Sequence, residues 1–555
     1  MNFDRTLMVF YYAQNLMCRL FLISFFGFIF PCYGHCQDSI HFYGDTASII
    51  GVYDMIEPYD RGYIIAGAKS KDANYFGWLQ KTSINGEALW SKSYGSLGMQ
   101  HGFVDILKAD DGGIVCAGST SKVSPGCGDP MLLKLNACGE KEWCRIYSSS
   151  NCNASADGVA DIPGGGFMML VGDWIGAPDV WLFRLNETGG VIWKKEFVSD
   201  PWVFSSPWAF SVFRTSDSCY MVTGEAYSPD SLYPGNYLRK IFHLKVDING
   251  NLIYEYPWGN NNGIISFGRF SIEDTHHCLY TAGDSPGSSG DAPCIFKTTE
   301  AGLPDFYHDL KGNVFSSTGS SINWFADSTI VVEAFWRTYT WGTDTLALIK
   351  IDKNGNTLQE KPIFTANNKL NTYPGRSCIT YNDRVVLSGS ISPGGPSCKA
   401  YLVKLRNDLT YDSVYNQPHT YDSLCPHPIT SDTVSLSDCS TVTSIYDPSK
   451  EPEKSALHIY PNPAADHVTI ELPLYLVRKT KTTSYTTTTI YQQWGSAMLE
   501  IYDLFGKLVL RQQINQKTGT ISPEISNWHT GMYMARLLFM NEMVSEAKFV
   551  KQSKN

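Results

Sequence analysis

One pattern recurs along most of the chain: a tight turn, a short apolar strand that ends at glycine, then a second apolar run, another turn and an aromatic residue. The segment Asp110–Gly118, DDGGIVCAG, shows the first half of this pattern. The copies align 50 to 59 residues apart, on Gly67, Gly118, Gly172, Gly224, Gly283, Glu333 and Gly389. Repeats of this length that contain only strand-like runs are typical of propeller blades or a β-solenoid. The chain is therefore expected to fold as an array of similar β units.

Each copy of the pattern contains two predicted β-hairpins. In the second copy, Phe103–Gly118 predicts two strands joined by an Asp-Gly-Gly turn, and Met131–Tyr147 predicts two more strands joined by a turn. Many of the matching second turns are Asn-Gly, which supplies the positive φ angles that tight hairpins require. The sequence therefore predicts four strands per copy.

The strands of the repeat are apolar on both faces. Tyr63–Gly67, YIIAG, and Phe167–Gly172, FMMLVG, show no alternation of polar and apolar residues. Strands of this kind are buried on both sides, as in a blade packed between two neighbouring blades. We expect the strand-end glycine where strands crowd together and leave no room for a Cβ atom.

Residues 37–416 are accordingly predicted to form a seven-bladed β-propeller in an all-β chain. Two smaller sandwiches, or six or eight blades, remain alternatives. Ile40–Gly44 resembles the outer strand that ends at Gly95, and we expect it to pair with the last blade and close the ring. The copies also resemble the loosely defined, Gly-rich propeller repeats of exported bacterial proteins, without the Trp-Asp, kelch or Asp-box motifs of better-defined repeats.

The N-terminus predicts an export signal. Arg5 and Arg19 precede the apolar run Leu20–Phe30. This run is shorter than the roughly 20 residues that a membrane span needs. A cut after Cys36 would place small residues where a signal peptidase inspects them, so residues 1–36 are predicted to be a signal peptide. Lipid attachment at Cys36 is a minor alternative.

Beyond that signal the chain keeps 12 of its 15 cysteines. An even number in an exported chain favours disulfide pairing, and no Cys-x-x-Cys spacing indicates a zinc site. Cys138 with Cys144, and Cys425 with Cys439, are candidate pairs, although spacing leaves the connectivity open. The formal net charge of −10 and the lack of a basic stripe argue against nucleic acid as a partner.

The repeat pattern ends before a segment rich in Pro, Ser, Thr and Asp. Residues 417–456 are predicted to be a linker whose two cysteines form a disulfide loop. Strand character returns in Ala456–Pro473, Met498–Ile514 and Ile525–Gln552. Residues 457–555 are predicted to form a small antiparallel, immunoglobulin-like β-sandwich.

Four short motifs follow one another in this tail: a Tyr-Pro-Asn-Pro opening, a middle strand with its turn, a Gly-x-Tyr strand and a Lys-rich final strand. Their residues are Tyr460, Pro461, Asn462, Pro463, Ile501, Tyr502, Asp503, Gly506, Lys507, Gly531, Tyr533, Lys548, Phe549 and Lys551. Together they closely resemble the type A C-terminal sorting domain of type IX secretion system cargo in Bacteroidetes. Two departures are a Thr-rich insertion between Pro473 and Met498, predicted to be an elongated hairpin or loop, and Trp528 in place of a small aliphatic residue.

The resemblance implies a route and a set of partners. The chain is expected to reach the periplasm, bind the outer-membrane type IX translocon through its folded tail, and lose the tail to a sorting peptidase. It would then be secreted or held at the outer cell surface, in the second case on lipopolysaccharide. The residues to which the resemblance assigns sorting are Tyr460, Pro461, Asn462, Pro463, Asp503, Gly506, Gly531, Tyr533 and Lys548. The alternative is an ordinary immunoglobulin-like accessory domain.

The sequence contains no nucleophile elbow, HExxH motif, P-loop or dinucleotide fingerprint. No catalytic, cofactor-binding or metal-binding residue is therefore assigned, and no cofactor is expected. Cleavage of a glycoside needs two carboxylates across a groove, which any two blades can supply. Glu225 and Glu333, at or beside the strand-end position, are the first two acids to test for that role.

Several other residues have both a functional and a structural interpretation. His276 and His277 have no third metal ligand nearby in sequence, and Asp247 and Asp352 begin loops without the final glutamate of an EF-hand. All four are interpreted as parts of turns. Four tryptophans near predicted loops suit carbohydrate stacking or blade packing, of which packing is favoured: Trp202, Trp208, Trp336 and Trp341.

Three functions fit these observations. The favoured one is a non-catalytic binding or adhesion module for a glycan or a protein, because the copies diverge in their loops while no active-site motif occurs. The alternatives are an enzyme that acts on polysaccharide through an acidic site in the propeller channel, and a structural protein of the cell surface.

Overall fold

The structure is a computed structural model in which the chain divides into two compact units, Met1–Ile445 and Tyr446–Asn555. Every regular element among the described residues is a β-strand, so this part of the chain offers no helix able to cross a membrane. The predicted signal peptide, 1–36, lies outside the described residues. The description covers residues 40–553 except 73, 122–127, 148–153, 174–179, 198–204, 230–236, 259–266, 288–289, 313, 339–342, 368–370, 393–396, 443–457, 472–475, 483–484, 492–496, 505, 515–519 and 540–541.

The first unit contains thirty described strands. They are β1 (Ile40–Tyr43), β2 (Ile49–Ile56), β3 (Tyr63–Lys71), β4 (Asn74–Thr82), β5 (Ala88–Tyr94), β6 (His101–Lys108), β7 (Ile114–Thr120), β8 (Asp129–Leu135), β9 (Lys141–Tyr147), β10 (Ala154–Asp161), β11 (Phe167–Asp173), β12 (Val180–Leu185), β13 (Val191–Phe197), β14 (Ser205–Arg214), β15 (Tyr220–Pro229), β16 (Tyr237–Val246), β17 (Leu252–Trp258), β18 (Phe267–Glu273), β19 (Leu279–Gly287), β20 (Gly290–Thr298), β21 (Pro304–Asp309), β22 (Val314–Trp324), β23 (Ile330–Thr338), β24 (Thr343–Ile351), β25 (Thr357–Asn367), β26 (Asn371–Ile379), β27 (Arg384–Ser392), β28 (Lys399–Arg406), β29 (Thr433–Val434) and β30 (Ser440–Val442).

Strands β1 to β28 form seven four-stranded antiparallel sheets, the blades. Blades 1 to 6 each take four consecutive strands, from β2–β5 to β22–β25. The first strand of each blade lies beside the first strand of the next, and β26 lies beside β2, so the blades form a closed ring. The seven-bladed propeller predicted from the repeat is confirmed.

The ring closes through the N-terminal strand. Blade 7 consists of β26, β27 and β28, and β1 supplies its fourth, outermost strand. In this antiparallel pair Ile40 lies opposite Val403 and Tyr43 opposite Ala400. Backbone hydrogen bonds therefore join the two ends of the repeat region, and the edge of β28 is covered rather than exposed. The predicted pairing of Ile40–Gly44 with the last blade is confirmed.

Every first strand carries a β-bulge near its middle. In blade 2 the bulge lies between Phe103 and Asp105, which pair with Gly118 and Ala117. A bulge bends its strand and increases the local twist. A Cβ atom added to Gly118 would overlap the carbonyl of Gly102, so the strand-end glycine occupies the crowded position expected for it.

Blade 6 shifts this arrangement by one residue. Gly319, the residue before the bulge, pairs with Ala334, and Glu333 comes one position earlier in its strand. The alignment of Glu333 with the strand-end glycines was therefore wrong, and its equivalent in blade 2 is Ala117. Blade 6 has a glycine, Gly319, on the first strand opposite Ala334, and a Cβ atom there would come within 2.9 Å of the Gly283 backbone in blade 5.

The outer strand of a blade packs on the second turn of the next blade. The Trp143 ring lies over Gly189, and the Tyr147 hydroxyl donates to the Gly189 carbonyl at 2.8 Å. Gly189 has a φ of +75° and supports the turn as only glycine does without strain. This contact explains the aromatic residue after the second turn in blades 1 to 5. The equivalent pairs are Trp90–Gly139, Trp143–Gly189, Trp193–Gly250, Tyr254–Gly302 and Phe306–Gly355.

The described part of the predicted linker, residues 417–442, lies on blades 1 and 2, and we refer to it as the strap. Its strand β29 adds parallel to β5, and β30 adds parallel to β9. Disulfides join Cys138 to Cys425 and Cys144 to Cys439. The candidate pairs Cys138–Cys144 and Cys425–Cys439, and with them the loop within the linker, were therefore wrong. The register of β30 on β9 places Cys439 beside Cys144, which spacing alone does not reveal.

The even number of exported cysteines does not mean that all of them pair. Five of them are free thiols in the blades, namely Cys116, Cys219, Cys278, Cys294 and Cys378. Cys116 and Cys294 are buried in the blades, where a thiol packs as a small apolar group. Cys127 and Cys152 lie outside the described residues.

The second unit has two facing sheets, ordered β31-β32-β37 and β36-β35-β38-β39. Ile470 from one sheet and Leu499 and Phe549 from the other enter a single buried core, so the predicted sandwich is confirmed. The insertion after Pro473 forms a hairpin, β33 with β34. The strands are β31 (His458–Tyr460), β32 (Thr469–Glu471), β33 (Leu476–Thr482), β34 (Tyr485–Tyr491), β35 (Ala497–Asp503), β36 (Leu508–Ile514), β37 (Thr520–Ile521), β38 (Gly531–Phe539) and β39 (Glu542–Lys551).

Candidate functional site

The two acids singled out from the sequence are both buried, on blades that are not neighbours. Glu225 on β15 pairs with Arg239, whose Nε lies 3.1 Å from its Oε2. Burial raises the pKa of Glu225, and the Arg239 guanidinium opposes that rise. Glu333 on β23 is fully buried, and neither of its carboxyl oxygens has a hydrogen-bond partner. Burial raises the pKa of Glu333 well above its usual range, because the blade offers its carboxyl group no compensating charge or hydrogen bond.

A different set of charged residues meets where the first strands of the ring come together. Arg376 on β26 contacts Asp105 on β6 through Nη1, and the same nitrogen lies 3.4 Å from Oδ2 of Asp54 on β2. The Arg376 guanidinium also lies over the Phe270 ring, 4.3 Å from its centroid. One arginine thus touches blades 1, 2 and 5, and we call Asp54, Asp105, Asp157 and Arg376 the channel cluster.

The carboxylates of the channel cluster connect neighbouring blades. Asp54 Oδ2 accepts a hydrogen bond from the Ile106 amide of blade 2 at 2.8 Å. Asp105 Oδ2 accepts one from the Val159 amide of blade 3 at 2.7 Å. Each first strand is an edge strand of its sheet, and the carboxylate of the preceding blade binds an amide of that strand. These two aspartates therefore hold adjacent first strands together.

Asp157, at the bulge of β10, differs from the other two acids of the cluster. Its Oδ2 is buried and has no hydrogen-bond partner. Burial raises the pKa of Asp157 to about 8, with an opposing hydrogen bond from Ser155 and an added contribution from Asp105. Burial also raises the pKa of Asp54, against the attraction of Arg376. Burial therefore opposes the ionisation of both Asp54 and Asp157.

Sequence reasoning missed the channel cluster, although a weak signal was present. Asp54 and Asp105 occupy the same position of the first two copies, in VYDMI and FVDIL, directly after the bulge residue. Arg376 lies in blade 7, five copies after Asp105. It does not follow the bulge as the aspartates do but lies inside it, because the bulge of β26 contains two residues. Only closure of the ring brings blade 7 beside blade 1 and this arginine beside those acids.

The tryptophans considered for carbohydrate stacking give a divided result. Trp336 is 3% exposed and packs in the core of blade 6, as the packing interpretation predicted. Trp208 is half-buried on β14. Trp202 and Trp341 lie outside the described residues.

The acidic and histidine loops are hairpin turns, as interpreted from the sequence. Asp247 Oδ1 accepts the amides of Asn249 and Asn251, both at 2.8 Å, which is the geometry of a turn stabilised by its first side chain. Asp352 does the same for the amides of Asn354 and Asn356. His276 and His277 lie in the turn after β18, where Asp274 accepts the His276 amide.

One group of metal-type side chains converges in the described part of the chain: Cys138, Cys425 and His427. Both cysteines are joined in a disulfide, so their sulfurs are not thiolates that bind an ion. His427 instead faces Glu140, with Nε2 3.2 Å from Oε1. This group is part of the strap contact rather than a metal site.

In the second unit, four of the residues assigned to sorting line one shallow pocket of about 230 Å³. These are Asp503, Gly506, Tyr533 and Lys548. Asp503 and Gly506 belong to the turn after β35, in which the Gly506 amide donates to the Asp503 carbonyl at 3.0 Å. Tyr533 is 5% exposed and stacks on Phe549, with ring centroids 5.6 Å apart. Residues distant in the motif thus meet at one end of the four-stranded sheet.

The Tyr-Pro-Asn-Pro opening joins the final strand. Asn462 accepts the Val550 amide at 2.9 Å and donates to the Lys548 carbonyl at 3.3 Å. The Pro461 and Pro463 peptide bonds are both cis, and Tyr460 is 50% exposed. Gly531 begins β38 opposite Lys551. The first and last motifs of the tail therefore form one continuous surface.

Trp528 packs within the same unit, 5.0 Å from Tyr533 and 6.4 Å from Phe549 between ring centroids. This residue departs from the expected small aliphatic side chain. The larger ring joins the aromatic cluster that Tyr533 and Phe549 form.

Residues 458–552 match the family model described as the secretion system C-terminal sorting domain. A search of curated proteins finds no match. Structures similar to the chain include a PL25 ulvan lyase, with 9% identity over 65% of this chain and 96% of that one at a TM-score of 0.45. Others are the polysaccharide lyase Uly1, with 8% identity over 66% and 91% at 0.37, and a protein of unknown function from Bacteroides caccae, with 12% identity over 51% and 89% at 0.33.

Proposed function

We propose that this chain, a type IX secretion system cargo by its C-terminal sorting domain, delivers a non-catalytic binding propeller to the cell surface or the medium. Residues 1–36 act as the export signal, and residues 457–555 as the tail that the translocon recognises. The sorting peptidase then removes the tail, and the propeller is released or attached to lipopolysaccharide. The ligand of the propeller is a glycan or a protein.

The observation that carries the delivery route is the match of residues 458–552 to the sorting-domain family. The convergence of Asp503, Gly506, Tyr533 and Lys548 on one pocket supports a recognition surface there. The Tyr460–Pro463 segment, bound to the last strand through Asn462, extends that surface.

Deletion of residues 456–555 tests the delivery route in a host that has this secretion system. The truncated protein is expected to accumulate in the periplasm, measured by immunoblotting of periplasmic, surface and culture fractions. The control is deletion of the β33–β34 hairpin, Leu476–Tyr491, which removes no motif residue and should leave export unchanged. Normal export of the tail deletion would refute the sorting role.

The non-catalytic role is supported by the contacts and the burial of four acidic side chains in the propeller. Asp54 and Asp105 already bind backbone amides of the next blade and Arg376. Glu225 pairs with Arg239, and Glu333 is sealed within its blade. None of these carboxylates is a free base or nucleophile across a groove, which glycoside cleavage requires.

An enzyme with an acidic channel is the second candidate, and Asp157 is the observation that favours it. Its unbonded Oδ2 and its pKa of about 8 are features of a general acid. Incubation of the purified chain with a panel of polysaccharides separates the two functions. Binding without released sugar supports the module, whereas release of sugar that is lost in Asp157→Asn would replace it with the enzyme.

A further inference from the structure

A groove of about 420 Å³ lies between the outer strand of blade 4 and the two turns of blade 5. Its wall is aromatic: Tyr254 and Tyr256 on β17 stack with their ring centroids 5.5 Å apart and their planes 19° from parallel. The Trp258 ring continues the row, 4.9 Å from that of Tyr256. Tyr256 is 37% exposed, so part of this row faces solvent.

The groove departs from the pattern of blades 1, 2 and 3. In the outer strands of blades 1 to 5, one aromatic residue packs on the turn glycine of the next blade. Two residues after it, blades 1, 2 and 3 carry Lys92, Arg145 and Lys195. Lys195 donates to the Gly250 carbonyl of the next turn at 2.8 Å, and Lys92 pairs with Asp432 of the strap at 2.7 Å. Blade 4 has Tyr256 at this position. A residue that serves blade contacts elsewhere is therefore replaced by an exposed ring here.

Polar side chains surround the aromatic wall. Asp217 and Lys245 of blade 4 form an ion pair of 2.7 Å, and Glu300 and His277 of blade 5 lie opposite. Burial raises the pKa of Asp217, but hydrogen bonds from Lys245 and Thr215 outweigh it and bring that pKa to about 2. Asp217 is therefore ionised at neutral pH. The carboxylates of Asp217 and Glu300 outnumber the one lysine, so the rim carries net negative charge.

We infer that this groove binds a neutral glycan, an inference that rests on the proposed binding function. Aromatic rings in a row match the apolar faces of successive sugar rings, and carboxylates beside a lysine and a histidine match their hydroxyl groups. The excess of carboxylates disfavours uronate and sulfate groups, because like charges repel in a partly desolvated groove. The ligand class is thus an uncharged hexose or pentose polymer.

The test uses the purified full chain on laminarin, galactomannan and arabinan as neutral probes, and on alginate and chondroitin sulfate as anionic probes. Wild type is expected to bind at least one neutral probe and neither anionic one. Tyr256→Ala should weaken that binding by about tenfold or more in titration calorimetry. The matched control is Tyr381→Ala, which removes a tyrosine that is 79% exposed on blade 7 and should leave the affinity unchanged. Thermal unfolding of both variants verifies that they are folded.

Each outcome separates this inference from the proposed function. Binding of a neutral probe that Tyr256→Ala does not weaken would overturn the groove as the site and leave the binding module standing. Binding of anionic probes alone would overturn the neutral class. Failure to bind any probe would overturn the glycan inference, and release of sugar would overturn the non-catalytic function itself. Glu300→Lys, which reverses the charge of the rim, should raise the affinity for alginate.

Discussion

At the scale of single residues, buried carboxylates connect neighbouring blades of the propeller. Asp54 and Asp105 each accept a hydrogen bond from an amide on the first strand of the following blade. Asp157 sits in a bulge itself and has no such amide for its Oδ2. Burial raises its pKa by more than the hydrogen bond from Ser155 lowers it, and this makes the stability of the propeller depend on pH.

Asp157→Asn should change that dependence. The folded pKa of about 8 lies above the usual value of about 3.9, so the native state retains an extra proton between these limits and loses stability as pH rises through them. Asparagine mimics the protonated acid. The variant is expected to be more stable than wild type at pH 8.5 by about 1–3 kcal/mol, and similar to it at pH 4. Urea unfolding at both pH values measures this.

The control for that comparison is Asp110→Asn, which alters an exposed turn of blade 2. It should follow the wild-type pH dependence. If Asp157→Asn also follows it, Asp157 is ionised in the folded protein and the proposed enzyme candidate loses its general acid.

At the scale of strands and turns, the contact between one blade's outer strand and the next blade's turn is the repeated joint of the ring. The turn glycine combines two demands: a positive φ and the absence of a Cβ beneath an aromatic ring. Gly250 meets both, with a φ of +70° and the Trp193 ring 2.7 Å from where a Cβ atom would lie. Gly164, in the first turn of blade 3, has a positive φ of +86° but no aromatic ring over it. Nothing lies within 4 Å of the position that its Cβ atom would take.

Alanine at these two glycines separates the two demands. Gly164→Ala should lower the free energy of unfolding by about 1 kcal/mol, the cost of a left-handed conformation for a residue with a Cβ atom. Gly250→Ala should lower it by a further 1–3 kcal/mol or so, because the Trp193 ring must move. Guanidinium unfolding of both variants measures the difference. Equal losses would mean that the Trp193 contact adds nothing to the turn.

At the scale of the whole molecule, the strap joins the end of the repeat region to its beginning. Two disulfides fasten it to blade 2, across 287 and 295 residues of chain. When one bridge is broken, the other still closes the large loop between blade 2 and the strap. Only the short loop between the two bridges is opened. Breaking both releases a loop of nearly 300 residues. The entropy of the unfolded chain therefore makes the two bridges non-additive.

Serine variants of each pair test this. Cys138→Ser with Cys425→Ser should lower the free energy of unfolding by about 3 kcal/mol, and removal of Cys144–Cys439 as well should cost about 5 kcal/mol more. Guanidinium unfolding gives both values, and limited proteolysis should then cleave within 417–442. Cys219→Ser, a free thiol on blade 4, is the control and should change little. A first loss as large as the second would show that the strap detaches when either bridge is cut.

The local features of this protein were readable from its sequence. The 50 to 59-residue period, the Asp-Gly-Gly and Asn-Gly turns and the two-faced apolar strands predicted seven four-stranded blades, and β1 closes the ring as its likeness to an outer strand indicated. These features depend on hydrogen bonds and pleating within a single hairpin or blade, so nearby residues determine them. The motifs of the tail were recognisable for the same reason.

Tertiary structure decided what depends on packing between blades. It paired Cys144 with Cys439 through the register of β30 on β9, and it moved Glu333 one position from the strand-end glycines. It also brought Arg376 to Asp54 and Asp105, more than 270 residues away along the chain. Contacts of that range form only when the ring closes, because a side chain's partner across a blade interface is set by the geometry of the ring rather than by its neighbours in sequence.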